Sequence, residues 1–294
     1  MSLSIKSKNR IYGTIFILVL LVLMYRLSNR NDAAWLDSAP KIAVLPLTGE
    51  IVGSRAWVNQ LNDFAADRRV AGILIPINSP GGQVAPSQEM YHAIRSIRDN
   101  TDIPVYVSMG SVAASGGYYA ALGADTIYAN AGTLTGSIGV IIQFPNYREL
   151  MDKIGVSMNV VKSQEFKDAG SPFREMTDTE RQYYQDLIDD VYDQFAEVVS
   201  LERGIDEINL ATLANGRVFT GRQAQANGLV DVVGTFQDAH SQLCELLDIP
   251  IGRDLLYPPE PKRSLWKSIR EDMSSALPGW DRGSSIQLQY RIPY

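Results

Sequence analysis

Histidine and cysteine are almost missing from this chain of 294 residues, which has two of the first (His92 and His240) and one of the second (Cys244). A single cysteine cannot form an internal disulfide, so a disulfide-stapled module is excluded. Nor can it supply a cysteine-rich zinc or iron–sulfur site, and no metal or cofactor is expected. Two histidines leave little material for a Ser-His-Asp triad. An excess of positive charge is also missing: 27 basic side chains face 33 acidic ones, a formal net charge of −6. Nothing in that balance would neutralise a run of phosphates, so no nucleic-acid partner is expected. Long internal repeats and low-complexity tracts are absent as well. An apolar content of 45% with 20% charged residues excludes a disordered chain. At roughly 150 residues per domain, the length allows two domains or one larger α/β domain.

What is present begins with an uncharged apolar run, residues 11–25, preceded by Lys6, Lys8 and Arg10 and followed by Arg26. It falls short of the ~20 residues a bilayer-spanning helix needs. Arg26, snorkelling, and Leu27 extend it enough. A cleaved signal peptide would need a small-x-small site just after the run, and Tyr25-Arg26-Leu27-Ser28-Asn29 does not provide one. The expected organisation is a short N-terminus (1–10), a signal anchor (11–27), a polar linker (28–40) and a domain starting near Lys41. The heavier positive flank on the N-terminal side places the N-terminus inside and the body outside, on the periplasmic or extracytoplasmic face of the cell inner membrane.

From residue 41, short apolar runs alternate with amphipathic stretches. Strands are predicted at Ile42–Leu47, Val70–Ile77, Pro104–Met109, Thr126–Ala129 and Val156–Val161. Helices are predicted at Arg55–Arg69, Ser87–Arg98 and Ala114–Leu122, with a loop at Asn78–Pro86. This alternation implies an α/β fold with a mainly parallel sheet covered on both faces. Thr177-Asp178-Thr179-Glu180 has the form of a capping box. It opens a long amphipathic helix with Tyr184, Leu187, Val191, Phe195 and Val199 on one stripe, a core or subunit-packing element. Pro258, Pro259 and Pro261 close a domain at 41–257. In the extension 258–294, Leu265, Trp266, Ile269 and Met273 form an amphipathic set, and Ile286–Ile292 alternates.

Three glycine-rich places stand out. Asn78-Ser79-Pro80-Gly81-Gly82 follows a buried strand, where backbone N–H groups can turn into a cleft and bind an oxyanion; a plain turn has the same composition. Met109–Tyr119 is built almost wholly of small residues at a strand-to-helix junction. Ser115 there reads equally as a helix N-cap or as a nucleophile whose neighbour Gly116 presents an N–H. Thr133–Val140 is an ordinary loop when taken alone. His92 and His240 sit on helical runs and read as surface or interface side chains. Without histidine, a serine nucleophile needs another base, and the recurring solution is a Ser-Lys dyad. A lysine serves as base only when burial or a nearby cation depresses its pKa far below ~10.4. The segment 161–174 carries two candidates, Lys162 and Lys167.

Together these pieces resemble the short, single-domain form of the signal peptide peptidase family, membrane-anchored serine peptidases in the fold superfamily of the Clp protease and crotonase. The resemblance covers most of residues 40–235. It rests on Asn-Ser-Pro-Gly-Gly at 78–82, Ala-Ala-Ser-Gly-Gly-Tyr-Tyr at 113–119, Thr-Gly-Ser-Ile-Gly-Val at 135–140 and Phe-Lys-Asp-Ala-Gly-Ser-Pro-Phe-Arg at 166–174. The order of the four motifs is more specific than any one of them. The resemblance implies Ser115 as nucleophile, Lys167 as general base and Ser137 as the residue that orients the lysine amine. The Gly116 N–H, with an N–H from the Gly81-Gly82 turn, would form the oxyanion hole. Lys162 is the second candidate base. The resemblance further implies a homo-oligomer in which neighbouring subunits supply the serine and the lysine, and hydrophobic peptides, such as signal peptides left after export, as substrates. Two other readings share parts of the pattern: a crotonase-type acyl-CoA enzyme, and a catalytically idle membrane scaffold.

Overall fold

The computed structural model describes Leu20 and residues 39–252, 254–259 and 289–291. The anchor expected at 11–27 and the Trp266 set therefore lie outside the described residues, apart from Leu20. Among the described residues no helix is long and apolar enough to cross a membrane. A compact unit begins at Lys41.

Its centre is a sheet of parallel strands. In spatial order these are β10 (Leu255–Leu256), β1 (Lys41–Val44), β3 (Val70–Ser79), β5 (Val105–Ala114), β6 (Thr126–Ala129) and β9 (Val232–Val233). The short strand β2 (Leu47–Thr48) also pairs with β3. Side chains of a strand alternate between faces, and here both faces are buried, which is why the strands read as continuous apolar runs. Ile73 and Ile75 of β3, with Val105 and Val107 of β5, belong to one core cluster. Leu74 and Tyr106, between them, belong to the other. The first face is covered by α1 (Arg55–Ala66), α2 (Val84–Asn100), α3 (Gly116–Ala121) and α5 (Asp178–Arg203). The second is covered by α6 (Phe236–Leu246), through Ala239, Leu243 and Cys244.

Three expectations are corrected. The stretch Asn78–Pro86 is not a loop: β3 runs to Ser79, Gly81–Gln83 forms a further strand β4, and α2 starts at Val84 with Pro86 in its first turn. Proline is tolerated there because its missing N–H would have had no helical acceptor. Helix α3 starts at Gly116, because β5 continues to Ala114. No strand forms at Val156–Val161, and these apolar side chains are exposed, Val161 completely. The run has apolar composition but pairs with no strand among the described residues. It is flanked by α4 (Arg148–Ile154) and a one-turn 3-10 helix, Glu165–Asp168.

The capping box at Thr177 forms as the sequence predicts. Thr177 Oγ1 accepts from the Glu180 N–H, and the Glu180 carboxylate accepts from the Thr177 N–H. Along α5, Tyr184, Val191, Phe195 and Val199 are buried, whereas Leu187 is exposed.

Candidate active site

The fold makes its sharpest local demand at the end of β5. After Ala113 and Ala114 pair with Thr135 and Gly136 of β7 (Leu134–Gly136), the chain must turn abruptly into α3. Ser115 makes that turn at φ 54° and ψ −118°, its N–H held by the Gly136 carbonyl at 2.7 Å. A non-glycine residue in such a region costs about 1–3 kcal/mol. The side chain does not act as a helix cap, which removes the bland reading of this serine. Ser115 is 1% exposed, and its Oγ has no hydrogen-bond partner. Burying an unsatisfied hydroxyl costs a further ~1–3 kcal/mol. Strain and desolvation thus fall on one oxygen that contributes nothing to stability, the arrangement also met at the strand-to-helix elbow of serine hydrolases.

The Gly81-Gly82 turn packs directly on this elbow. Gly81 has φ 97°, and a Cβ there would lie 2.7 Å from the Gly116 nitrogen and 2.2 Å from the Tyr290 carbonyl oxygen. A Cβ on Gly116 would lie 3.2 Å from the Gly82 nitrogen. Glycine is required at these points because backbone meets backbone. Gly116 is the first residue of α3, so its N–H has no acceptor within the helix. The Gly81 N–H is taken by Ser79 Oγ at 3.1 Å. Ser137 follows the paired residue Gly136, as Ser115 follows Ala114, which brings the two serines to neighbouring strand ends. Ser137 is buried, with φ 50° and its N–H on the Arg217 carbonyl at 2.8 Å.

One edge of the notch is formed by a segment that sequence reasoning left without a role. Strand β11 (Gln289–Arg291) runs antiparallel along β4, pairing Tyr290 with Gly82, and Gln289 bridges to Ile141 on the other side. The Tyr290 ring is buried against Tyr119 and Phe195, with centroids 5.3 and 4.7 Å away. Its hydroxyl donates to the Val191 carbonyl at 3.2 Å. Alternation at 286–292 was visible in the sequence, but not the partner strand, which lies about two hundred residues away.

Both lysines lie on an exposed stretch, residues 156–167. Lys162 Nζ donates to Asp168 Oδ1 at 2.6 Å and to the Glu165 carbonyl at 3.0 Å. Lys167, on the one-turn helix, is exposed; its main-chain N–H donates to the Gln164 carbonyl at 3.2 Å, and its side chain has no hydrogen-bond or ion-pair partner among the described residues. The structure does not bring it into contact with Ser115 of the same chain.

His92 is exposed, as expected. His240 is not peripheral: it is buried, with Nε2 on Asp254 Oδ2. Cys244 Sγ lies 3.4 Å from that nitrogen and donates to Asp254 at 3.3 Å. Among the described residues this trio alone brings together three groups able to hold a metal ion, although the groups already satisfy one another. Burial tends to raise Asp254, but the Gly252 N–H and His240 outweigh it and hold the carboxyl down at about 2. Burial, then the hydrogen bond to Asp254, pushes the Cys244 thiol up to about 11. The spacing of His240 and Cys244, four apart on one helix, was the available signal; Asp254 was missed.

A parallel sheet covered on both faces, ending in a strained, buried serine beside a double-glycine turn, defines a Clp protease-like serine peptidase. Comparison with known proteins agrees. The Clp protease family matches residues 41–134, and Peptidase family S49 matches residues 98–249. A Synechocystis sp. protein assigned as a protease is 39% identical, over 75% of this chain and 80% of its own length. The Enterococcus faecium protein assigned as signal peptide peptidase SppA is 40% identical, over 64% of this chain and 54% of its own. Protease 4 of Haemophilus influenzae is 35% identical, and the match spans 35% of its length. The chain belongs to peptidase family S49 and is a serine-type peptidase of the signal peptide peptidase kind.

Proposed function

We propose that this chain is a membrane-tethered endopeptidase of hydrophobic peptides, signal peptide remnants among them, working through a Ser115–Lys167 dyad shared between two copies. The observation that carries this reading is the mismatch within one chain. Among the described residues Ser115 Oγ is buried and unpartnered, while the Lys167 side chain is exposed and unpartnered.

In the proposed reaction, the neutral Lys167 amine of a neighbouring copy takes the Ser115 proton as Oγ attacks the peptide carbonyl. Ser137 orients that amine. The Gly116 and Gly82 N–H groups stabilise the oxyanion, with Gly81 shaping the turn. The tetrahedral intermediate collapses, the lysine ammonium gives its proton to the leaving amine, and a water attacks the acyl-enzyme in the reverse sequence.

A second copy is supported by an apolar ribbon beside Lys167. Leu150, Ile154, Met158, Val160 and Val161 are all exposed there. Covering it would place a neighbour against the segment that carries the base. A substrate is proposed to displace Gln289–Arg291 and pair as a strand along the same edge of β4, one apolar side chain replacing the Tyr290 ring beside Tyr119 and Phe195. Residues 11–27 supply the anchor, with the peptidase on the extracytoplasmic side.

The test is digestion of a panel of hydrophobic peptides by the detergent-solubilised chain beside S115A and K167A. Both variants should lose at least ~10³-fold in kcat/KM. Retained activity in K167A with loss in Lys162→Ala would move the base to Lys162.

A further inference from the structure

Lys167 lies in a part of the chain that packing does not hold. From Val156 to Phe166 the residues are exposed, and only the single turn Glu165–Asp168 is regular. Yet a catalytic base must be delivered to within a fraction of an ångström, and a misplacement of about 1 Å can cost 10²-fold in rate. The residue next to Lys167 is bound on several sides. The Arg174 guanidinium meets Asp168 at three acceptors: Nε to Oδ2 at 3.1 Å, and Nη2 to Oδ1 and to the main-chain carbonyl, each at 3.0 Å. Its other edge forks onto Glu180, with Nη1 to Oε2 at 2.8 Å and Nη2 to Oε1. Glu180 is 2% exposed and is the capping-box carboxylate of α5, the 26-residue helix that packs Phe195 into the core. A continuous run of charge-assisted bonds thus links the backbone at Asp168, next to Lys167, to a helix that is anchored in the core. Tyr184 of the same helix adds a bond from its hydroxyl to the Ala169 carbonyl at 2.9 Å.

We propose that Arg174 is the positioning residue of the peptidase: by clamping Asp168 to Glu180 it sets where Lys167 stands. This rests on the reading of Lys167 as the base. A guanidinium suits the task, because its planar fork grips two carboxylates at once and fixes direction as well as distance. The ammonium of Lys162, on the same Oδ1 that Arg174 Nη2 meets, pins the carboxylate without a fork. Arg174 touches neither substrate nor Ser115 in this scheme and acts through Lys167 alone.

The experiment is a double-mutant cycle on the full chain, reading kcat, KM and the rate at which a fluorophosphonate labels Ser115. R174A is expected to lower kcat by about 10–100-fold with KM within about twofold. D168N leaves the Arg174–Glu180 pair intact, so it serves even if R174A fails to fold; it should lower kcat about tenfold. In the K167A background, R174A or D168N should change the residual labelling rate by less than about twofold, because the group they position is gone. A further loss in that background equal to the loss in the wild type overturns the inference, since it would show Arg174 acting on the elbow or the whole fold. Loss in K167A with wild-type kcat in both R174A and D168N overturns the inference and leaves the base assignment standing. Wild-type kcat in K167A overturns the base assignment itself, and the positioning role with it.

Discussion

Ser115 stands at the end of a central strand, walled by backbone from three directions, whereas Lys167 stands on a single exposed turn and is placed by its neighbour's ion pairs. The serine's position is over-determined. The Gly136 carbonyl, the Gly81-Gly82 turn and the start of α3 all close on it, so a costly φ and an orphaned hydroxyl can persist. The lysine's surroundings are apolar but open, and its anchoring is electrostatic. In the proposed site shared by two copies, packing would fix the serine and the Arg174 clamp would fix the lysine.

The largest effect is expected on the rigid side. Gly81→Ala would force a Cβ to within 2.2 Å of the Tyr290 carbonyl and 2.7 Å of the Gly116 nitrogen. At least ~10²-fold loss of kcat/KM is expected, because the N–H groups proposed to hold the oxyanion would move. Gly132→Ala, where a Cβ meets nothing within 4 Å, should stay within about twofold and serves as the control. Peptide cleavage by the two variants decides whether backbone contact, rather than glycine content, shapes the notch.

The next largest effect concerns the division between copies. S115A and K167A, each inactive alone, should recover about one quarter of wild-type activity when mixed in equal amounts, since a quarter of random neighbour pairs unite an intact serine with an intact lysine. Fluorescent-peptide turnover after mixing and re-assembly measures it. No recovery would place both groups of the dyad in one chain.

The smallest effect probes the electrostatic side. Arg174, then Lys162, holds the Asp168 carboxyl well below the usual carboxylate range. Arg174 likewise holds Glu180 down at about 2, against the opposing effect of burial. Both groups are ordinarily half-protonated near pH ~4 in an unfolded chain, so their contribution to stability is complete above about pH 5 and is lost as pH falls toward 2. The melting temperature of the wild type should exceed that of Glu180→Gln at pH 7, and the gap should narrow steadily below pH 5. A gap that is constant from pH 7 to pH 3 would mean that the network is not ionic.

Much of the fold was legible because its signals are local. Buried parallel strands show as short apolar runs, and the capping box at Thr177–Glu180 reads directly from residue spacing. Ser115 was visible as a serine among small residues, but whether it capped a helix turned on a backbone angle that no composition reveals. Val156–Val161 misled because β propensity names a segment that could pair, not one that has a partner. His240 was misplaced because its helix looks peripheral until Asp254, brought in by the edge strand β10, buries it. Arg174 was in plain view within the motif at 166–174, yet its significance depends on meeting Asp168 and Glu180 at once.

The scarcity of histidine and cysteine, the alternating apolar runs and the four ordered motifs belong to the sequence alone; the runs point to an α/β fold, and the resemblance carried by the motifs implies a serine peptidase. These are matters of composition and near-neighbour order, which a linear chain already contains. The strain at Ser115, the close approach of Gly81 to Gly116, the docking of Tyr290 beside Tyr119 and the clamp on Asp168 were decided only in three dimensions. Each depends on groups from separate strands and helices meeting within a few ångströms, and that meeting is set by how the sheet and helices pack, not by any one segment's own preference.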